Sequence, residues 1–269
     1  MNAFVKSSGF VTVIIFCSVT AFGQTQPRQE SWSRTACVKV RDGKAAEFAA
    51  YLQEAVKLAK VRVESGQMIR YIIAQSVSPQ GRTAVCDYRL GSYYTGFPPE
   101  PPTPEQTEAD MKTAGIKMTP TAMNAKRDEL SYLVSMETWH WLDRTGAPTS
   151  KGQYARVNLN KIAAGRLQEW VQNEISGWKP LAEEAAKQMG TAWVVGTLVM
   201  PGGSAQPYNS STIDVFPNWA AVQTGIPSRK LWNQVHPQSD LASFTAHVAT
   251  MADRPRVDMV KLIEVVSKQ

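Results

Sequence analysis

Cysteine and histidine are scarce in this 269-residue chain, with three of each. His140, His236 and His247 lie far apart, and neither Cys-x-x-Cys nor His-x-x-x-His occurs, so the ligand spacing of a zinc site is missing and no metal is expected. Phosphate loops, dinucleotide-binding glycine fingerprints and nucleophile elbows are absent as well. The glycine-rich Pro201-Gly202-Gly203-Ser204 is too short for a phosphate loop and fits a hairpin. Basic runs are lacking too: the net charge of +6 is spread along the chain. Nucleic-acid binding needs clustered Lys and Arg, so that partner is excluded. No apolar run reaches the roughly 20 residues that a membrane-spanning helix needs.

What is present begins with a leader. Lys6 is followed by an apolar stretch from Phe10 to Val19 and by Ala21-Phe22-Gly23, the layout of a cleavable secretory signal over residues 1–23. Cys17 lacks the small-residue context of a lipoprotein cleavage site. The expectation is an exported, periplasmic or extracellular chain starting near Gln24, with no stable membrane anchor. Cys37 and Cys86 remain after cleavage, in a compartment that permits a disulfide.

Internal repetition is the main feature. One half reads strand (Thr35 to Arg41), helix (Ala45 to Glu64), strand (Gln67 to Val77), strand (Thr83 to Leu90), helical region (Pro104 to Glu129) and strand (Tyr132 to Asp143). The other reads strand (Gln153 to Asn160), helix (Ala163 to Met189), strand (Thr191 to Met200), strand (Asn209 to Phe216), helices between Trp219 and Met251, and strand (Arg256 to Val266). Phe48, Leu52, Val56, Ala59 and Val63 recur at helical spacing. In the second long helix Gly177 and Pro180 predict a kink. Residues 24–143 and 153–269 therefore form two similar units, and the turn formers of 144–152 link them.

A β-α-β-β-α-β order is the ferredoxin-like arrangement, one antiparallel sheet with helices on one face. Two such units can cover each other's bare faces. In this the sequence resembles the dimeric α/β barrel superfamily, with two units fused in tandem into a monomeric pseudo-dimer. The stretches "WKPLAEEAAKQMG", "MPGGSAQPY" and "VHPQ" are also similar to exported bacterial proteins of this type, a likeness that brings no activity. The resemblance implies an α+β fold, two units packed sheet to sheet, and a ligand pocket between them.

Strand alternation then nominates pocket residues. Placing Ala36, Val38 and Val40 under the helices turns Cys37, Lys39 and Arg41 inward. In the second unit, placing Ala155, Val157 and Leu159 there turns Tyr154, Arg156 and Asn158 inward. Cys86 and Tyr88, with Ile213 and Val215, are expected under helices, leaving Asp87, Arg89, Asp214 and Phe216 facing the pocket. On this parity Cys37 and Cys86 take opposite faces, which argues against a disulfide. In "SMETWHWLDR" the same alternation sends Glu137, Trp139 and Trp141 inward and His140 outward.

Asp87, Asp214 and Glu137 are thus the candidate catalytic carboxylates, and Lys39, Arg41, Arg89, Trp139, Trp141, Arg156 and Asn158 the candidate ligand-binding residues. The plainer reading of the aspartates is ion pairs holding first and third strands in register. The segment "YYTGFPPEPPTPE" is a candidate lid, or a connection pinned by its aromatics. Three functions stay open: a small-molecule pocket, with or without catalysis; a non-catalytic scaffold; and haem binding through one of the histidines, which the superfamily allows. The first needs no cofactor.

Overall fold

The computed structural model of the chain describes residues 30–79, 84–146, 149–203 and 205–268. The expected signal at 1–23 lies outside the described residues, as do parts of the turn after Pro79 and of the 144–152 segment. The first half consists of β1 (Ser31–Val40), α1 (Ala45–Glu64), β2 (Arg70–Ser78), β3 (Tyr88–Tyr94), α2 (Pro104–Thr113), α3 (Pro120–Leu130) and β4 (Ser131–Gly146). The second half repeats the scheme with β5 (Tyr154–Ile162), α4 (Leu167–Asn173), α5 (Lys179–Met189), β6 (Ala192–Met200), β7 (Ser210–Phe216), α6 (Trp219–Thr224), α7 (Ser228–Val235), α8 (Leu241–Ala249) and β8 (Ala252–Ser267).

Local chemistry accounts for the helix boundaries. Thr103 and Gln106 form a reciprocal capping box ahead of α2, with Pro104 in the first turn, where its missing N–H does no harm. Thr119 caps α3 in the same way, accepting from the Ala122 amide. Gly190 ends α5 in the left-handed conformation that glycine adopts freely. Between α4 and α5 the chain does not break. It widens into one π-helical turn, Glu174–Trp178, at the place where a kink is expected. Gly177 lies in this turn because the Phe244 ring occupies the space a Cβ would need, 2.3 Å away.

The eight strands form one closed antiparallel barrel in the order β1-β3-β2-β8-β5-β7-β6-β4. Within each half the order is the same, β4-β1-β3-β2 and β8-β5-β7-β6. The halves join edge to edge, through β2 on β8 (Ile72 opposite Val265) and β4 on β6 (His140 opposite Thr197). The expected sheet-to-sheet packing thus takes the form of a hydrogen-bonded barrel, which leaves no open sheet edge along these seams.

Apolar residues divide between the barrel interior and the layers beneath the helices. In the first half the helix side of the sheet is greasy: Val38, Ile73 and Tyr88 pack with Phe48, Leu52, Val56 and Leu130. This matches the expectation for Ala36, Val38, Val40 and Tyr88, but Cys86, expected under the helices, lines the barrel interior. In the second half the alternation is inverted. Ala155, Val157, Leu159, Ile213 and Val215 line the barrel interior, while Arg156, Asn158 and Asp214 turn outward beneath the helices. Alternation separates a strand's two faces without saying which is which. In this barrel the interior is itself an apolar core, so greasy residues do not mark the helix side.

The disulfide expectation is also corrected. Cys37 and Cys86 are bonded, with Cα atoms 5.3 Å apart. The parity argument fails because Cys86 precedes β3 and stands outside its ladder, and because β1 carries a register shift at Cys37/Val38.

Candidate functional site

A cavity of about 150 Å³ lies inside the barrel. Its middle is apolar, walled by Ile72, Val157, Ile213 and Val260 and by the indoles of Trp139 and Trp141, which stack with centroids 5.4 Å apart. Strand alternation along β4 delivers both indoles, as expected. The Trp141 Nε1 donates to the buried Ser33 hydroxyl at 2.9 Å, which fixes the ring plane. Gly196 on the neighbouring strand has no Cβ because the Trp141 ring lies 2.4 Å from where one would stand.

One end of the cavity carries Glu137, Tyr208, Arg89, Arg256 and the Cys37–Cys86 bridge. Glu137 accepts from the Tyr208 hydroxyl and from Trp139 Nε1, the latter at 2.9 Å. Burial and then the adjacent Glu137 carboxylate push the Tyr208 phenol above its ordinary range, so it stays protonated and donates. Arg89 Nη2 donates to Asp258, which also accepts from Arg256 Nε at 2.9 Å. Asp258 is only 2% exposed, and its charge is tolerated because two guanidiniums flank it. Arg89 Nη1 is buried with no hydrogen-bond partner among the described residues.

The other end carries Arg70, Tyr93, Arg144 and Thr149. Arg70 Nη1 donates to the Thr149 hydroxyl at 2.8 Å, and its guanidinium sits 5.3 Å from the Tyr93 ring centroid. Burial raises the Tyr93 phenol, keeping it neutral.

The nominated residues divide by location. Glu137, Arg89, Trp139 and Trp141 line the cavity. Lys39 and Asp87 do not; Lys39 Nζ donates to Asp87 at 3.0 Å, and Asp87 also accepts from the Val40 amide at 2.8 Å, tying β1 to the approach of β3. Arg41 lies at the outer end of β1, against the Asp128 carbonyl and 5.9 Å from the Tyr132 ring centroid. Arg156 pairs with Asp214 at 3.0 Å, and Asn158 donates to Asp214 at 3.1 Å, both on the helix side. The inverted second half accounts for Arg156, Asn158 and Asp214, whereas Lys39 and Arg41 lie beyond the register shift at Cys37/Val38 and Asp87 precedes β3. The segment after Tyr93 packs on the outer face of the barrel, with Phe97 edge-on to Trp32 and Pro99 accepting from Arg34, and is not a lid over the cavity.

Sequence reasoning missed several groups. Tyr208 reaches the cavity from the segment before β7, Arg256 from the regular β8 ladder opposite Leu159, and Arg144 by a bulge. Glu174 is another, 6% exposed in the π-helical turn and near enough to Asp214 and Arg254 to feel their charges. Burial first and Asp214 second push its carboxyl up to about 8. The one sequence signal for this turn is the Gly177 and Pro180 pair that predicts a kink.

No family model matches the chain, and no curated protein matches it. Solved structures do. A "putative monooxygenase" from Lactobacillus acidophilus NCFM superposes with a TM-score of 0.53 at 6% identity, covering 89% of this chain and 96% of that one. Another of the same designation, from Fusobacterium nucleatum, gives 0.53 at 8% identity, with 90% and 96% covered. The fold is that of the dimeric α/β barrel proteins. An anthrone oxidase-like protein shares it too, with a TM-score of 0.51 at 8% identity and coverage of 90% and 94%. At such identities the likeness extends to the fold alone, and function has to be argued from the site.

Proposed function

We propose that the barrel interior is a binding site for one small, planar, largely apolar molecule carrying an acceptor oxygen. The observation that carries this reading is Arg89 Nη1, a buried charged donor without a partner among the described residues, beside a cavity lined by stacked indoles. Leaving such a donor unsatisfied is costly, and a ligand oxygen would satisfy it. A cavity of about this volume holds a single aromatic ring. Trp139 and Trp141 offer the ring its flat contact, and the Glu137 carboxylate with the Tyr208 oxygen, whose proton goes to Glu137, offers acceptors beside it.

The same reading takes the chain as two ferredoxin-like units fused in tandem, supported by the repeated strand order. It takes the protein as exported and monomeric, supported by the leader-like first residues and by the Cys37–Cys86 bridge. The cavity is smaller than the roughly 300 Å³ at which most small-molecule sites begin, and this favours a second reading, a barrel that binds without turning over.

Histidine-ligated haem fits the described residues poorly. His140 stacks on Trp32 with centroids 4.1 Å apart, His236 bonds the Gly177 carbonyl at 2.9 Å, and His247 pairs with Glu169 at 3.4 Å. None of the three lines the cavity. Hemin titration is expected to produce no Soret shift that depends on a histidine.

The direct test is calorimetric titration with phenol, with tryptophan fluorescence as a second readout. Saturable binding to the native protein, weakened in Arg89→Met, is expected. Absence of heat and of any change in indole emission would overturn the reading.

A further inference from the structure

The disulfide between Cys37 and Cys86 is part of the cavity wall: both cysteines line the cavity at its Glu137 end, together with Val85. They are 7% and 1% exposed, whereas Val85 is 45% exposed, so the bridge stands just inside the rim. Cys37 is the register partner of Arg89, and partners in an antiparallel ladder carry their side chains on the same face. The bridge therefore shares its end of the cavity with the guanidinium whose Nη1 has no partner among the described residues.

The backbones at the two cysteines are held by more than the bridge. Cys37 sits in β1 between Arg89 of β3 and Ser135 of β4. The Cys86 carbonyl accepts from the Ser76 hydroxyl at 2.6 Å. The Asp87 amide donates to the Val38 carbonyl at 2.8 Å, and the Asp87 carbonyl accepts from the Ser76 amide at 2.9 Å. Lys39 Nζ adds a bond to the Ala84 carbonyl at 2.9 Å. These ties hold the two Cα atoms near their 5.3 Å separation when the bond between the sulfurs is broken. Bonded sulfurs lie about 2 Å apart, while two thiols need a contact distance of about 3.5–4 Å. With both backbones pinned, the sulfurs separate by side-chain rotation, and the open space beside them is the cavity. A sulfur turned into a cavity of about 150 Å³ takes room that a ring needs, and it presents a weak acceptor near the Arg89 donor.

We propose that the Cys37–Cys86 bridge is a redox gate on the interior site. Oxidised, it holds both sulfurs in the wall and leaves the cavity open to its ligand; reduced, the thiols turn inward and occlude it. This rests on the proposed interior binding site and specifies how that site is regulated. The reductant is a dithiol, which meets the bridge at the rim beside Val85. One thiolate of the reagent attacks a bridge sulfur and breaks the Cys37–Cys86 bond, and its second thiol then closes the reagent's own disulfide. Two electrons and two protons pass from the dithiol to the cysteines, which end as two thiols.

The experiment is calorimetric titration with phenol of the oxidised protein, of the protein reduced with dithiothreitol and desalted under argon, and of the reduced protein after reoxidation. Phenol is expected to bind the reduced form at least about tenfold more weakly, the margin of a hydrogen bond to a charged group, and reoxidation should restore the affinity. Far-ultraviolet circular dichroism of the reduced form should match that of the oxidised one. In Cys37→Ala/Cys86→Ala neither sulfur is present to enter the cavity, so the variant should bind phenol and lose all response to the dithiol. Equal affinity of the oxidised and reduced proteins overturns the gate and leaves the interior site standing. Unfolding on reduction, or a folded double-alanine variant that binds no phenol, also overturns the gate, because the bridge is then a staple of the structure. If the oxidised protein itself binds no phenol, the gate and the interior site both fall. The comparison of oxidised, reduced and reoxidised native protein decides the matter even where the variant fails to fold.

Discussion

Glu137 on β4 accepts a hydrogen bond from Tyr208, a residue of the segment leading into β7, so that a carboxylate of the first half and a phenol of the second meet inside the barrel. The pair joins the two halves at the polar end of the cavity. Trp139 Nε1 occupies the other Glu137 oxygen at 2.9 Å, and the two oxygens thus have separate donors.

Removing one donor tests what this arrangement is worth. Tyr208→Phe should destabilise the protein by roughly 1–3 kcal/mol, because a largely enclosed carboxylate oxygen loses its partner. Denaturant unfolding followed by tryptophan emission reads this directly. An unchanged midpoint would mean that Tyr208 and Glu137 do not meet in solution.

Glu174 predicts a pH dependence of known sign. Its folded pKa of about 8 lies above the ordinary 4.5, so between those values the folded state holds a proton that the unfolded state has released. Its contribution to stability is complete below about 4.5, declines as pH rises, and is gone above about 8. In Glu174→Gln that decline should vanish, and the variant should gain on the native protein as pH increases across this window. Melting temperatures of both proteins at a series of pH values are the measurement; parallel curves would contradict the burial of this carboxyl.

The Cys37–Cys86 bridge spans 49 residues. Chain-entropy reasoning assigns a loop of that length about 4 kcal/mol, so reduction or a Cys37→Ser/Cys86→Ser double change should lower the denaturant midpoint accordingly. Intact mass measured with and without reductant establishes the bond before the unfolding experiment.

Gly196 offers a packing test. A methyl group there meets the Trp141 ring at 2.4 Å and the His140 carbonyl at 2.9 Å. Gly196→Ala should therefore cost about 1–3 kcal/mol of overpacking and displace Trp141, which phenol binding would register as a loss. A variant with native stability and native phenol affinity would show that this wall yields.

Much of the architecture was legible in the chain. The greasy stripe of α1 predicted that helix at Ala45–Glu64, and the repeated order of elements predicted the repeated strand scheme. Glu137, Trp139 and Trp141 could be placed inward because "ETWHW" alternates cleanly over a regular stretch of β4. Where a ladder is irregular, alternation misleads. Cys86 stands outside its strand and Arg144 follows a bulge, so neither position could be read from period two alone.

The sequence by itself determined which elements form, in what order, and that each strand of β5 and β7 has one greasy and one polar face. Only the tertiary structure decided which face looks inward. Closing the sheet makes its interior a dry core, equal in its demand for apolar side chains to the layer beneath the helices. Val157 and Ile213 satisfy either place equally well. Their assignment to the interior, and the placement of Asn158 and Asp214 on the opposite side, follow from how the strands of the two halves meet. The same closure brings Arg89 within reach of Asp258, 169 residues away in sequence, and leaves its Nη1 without a partner among the described residues.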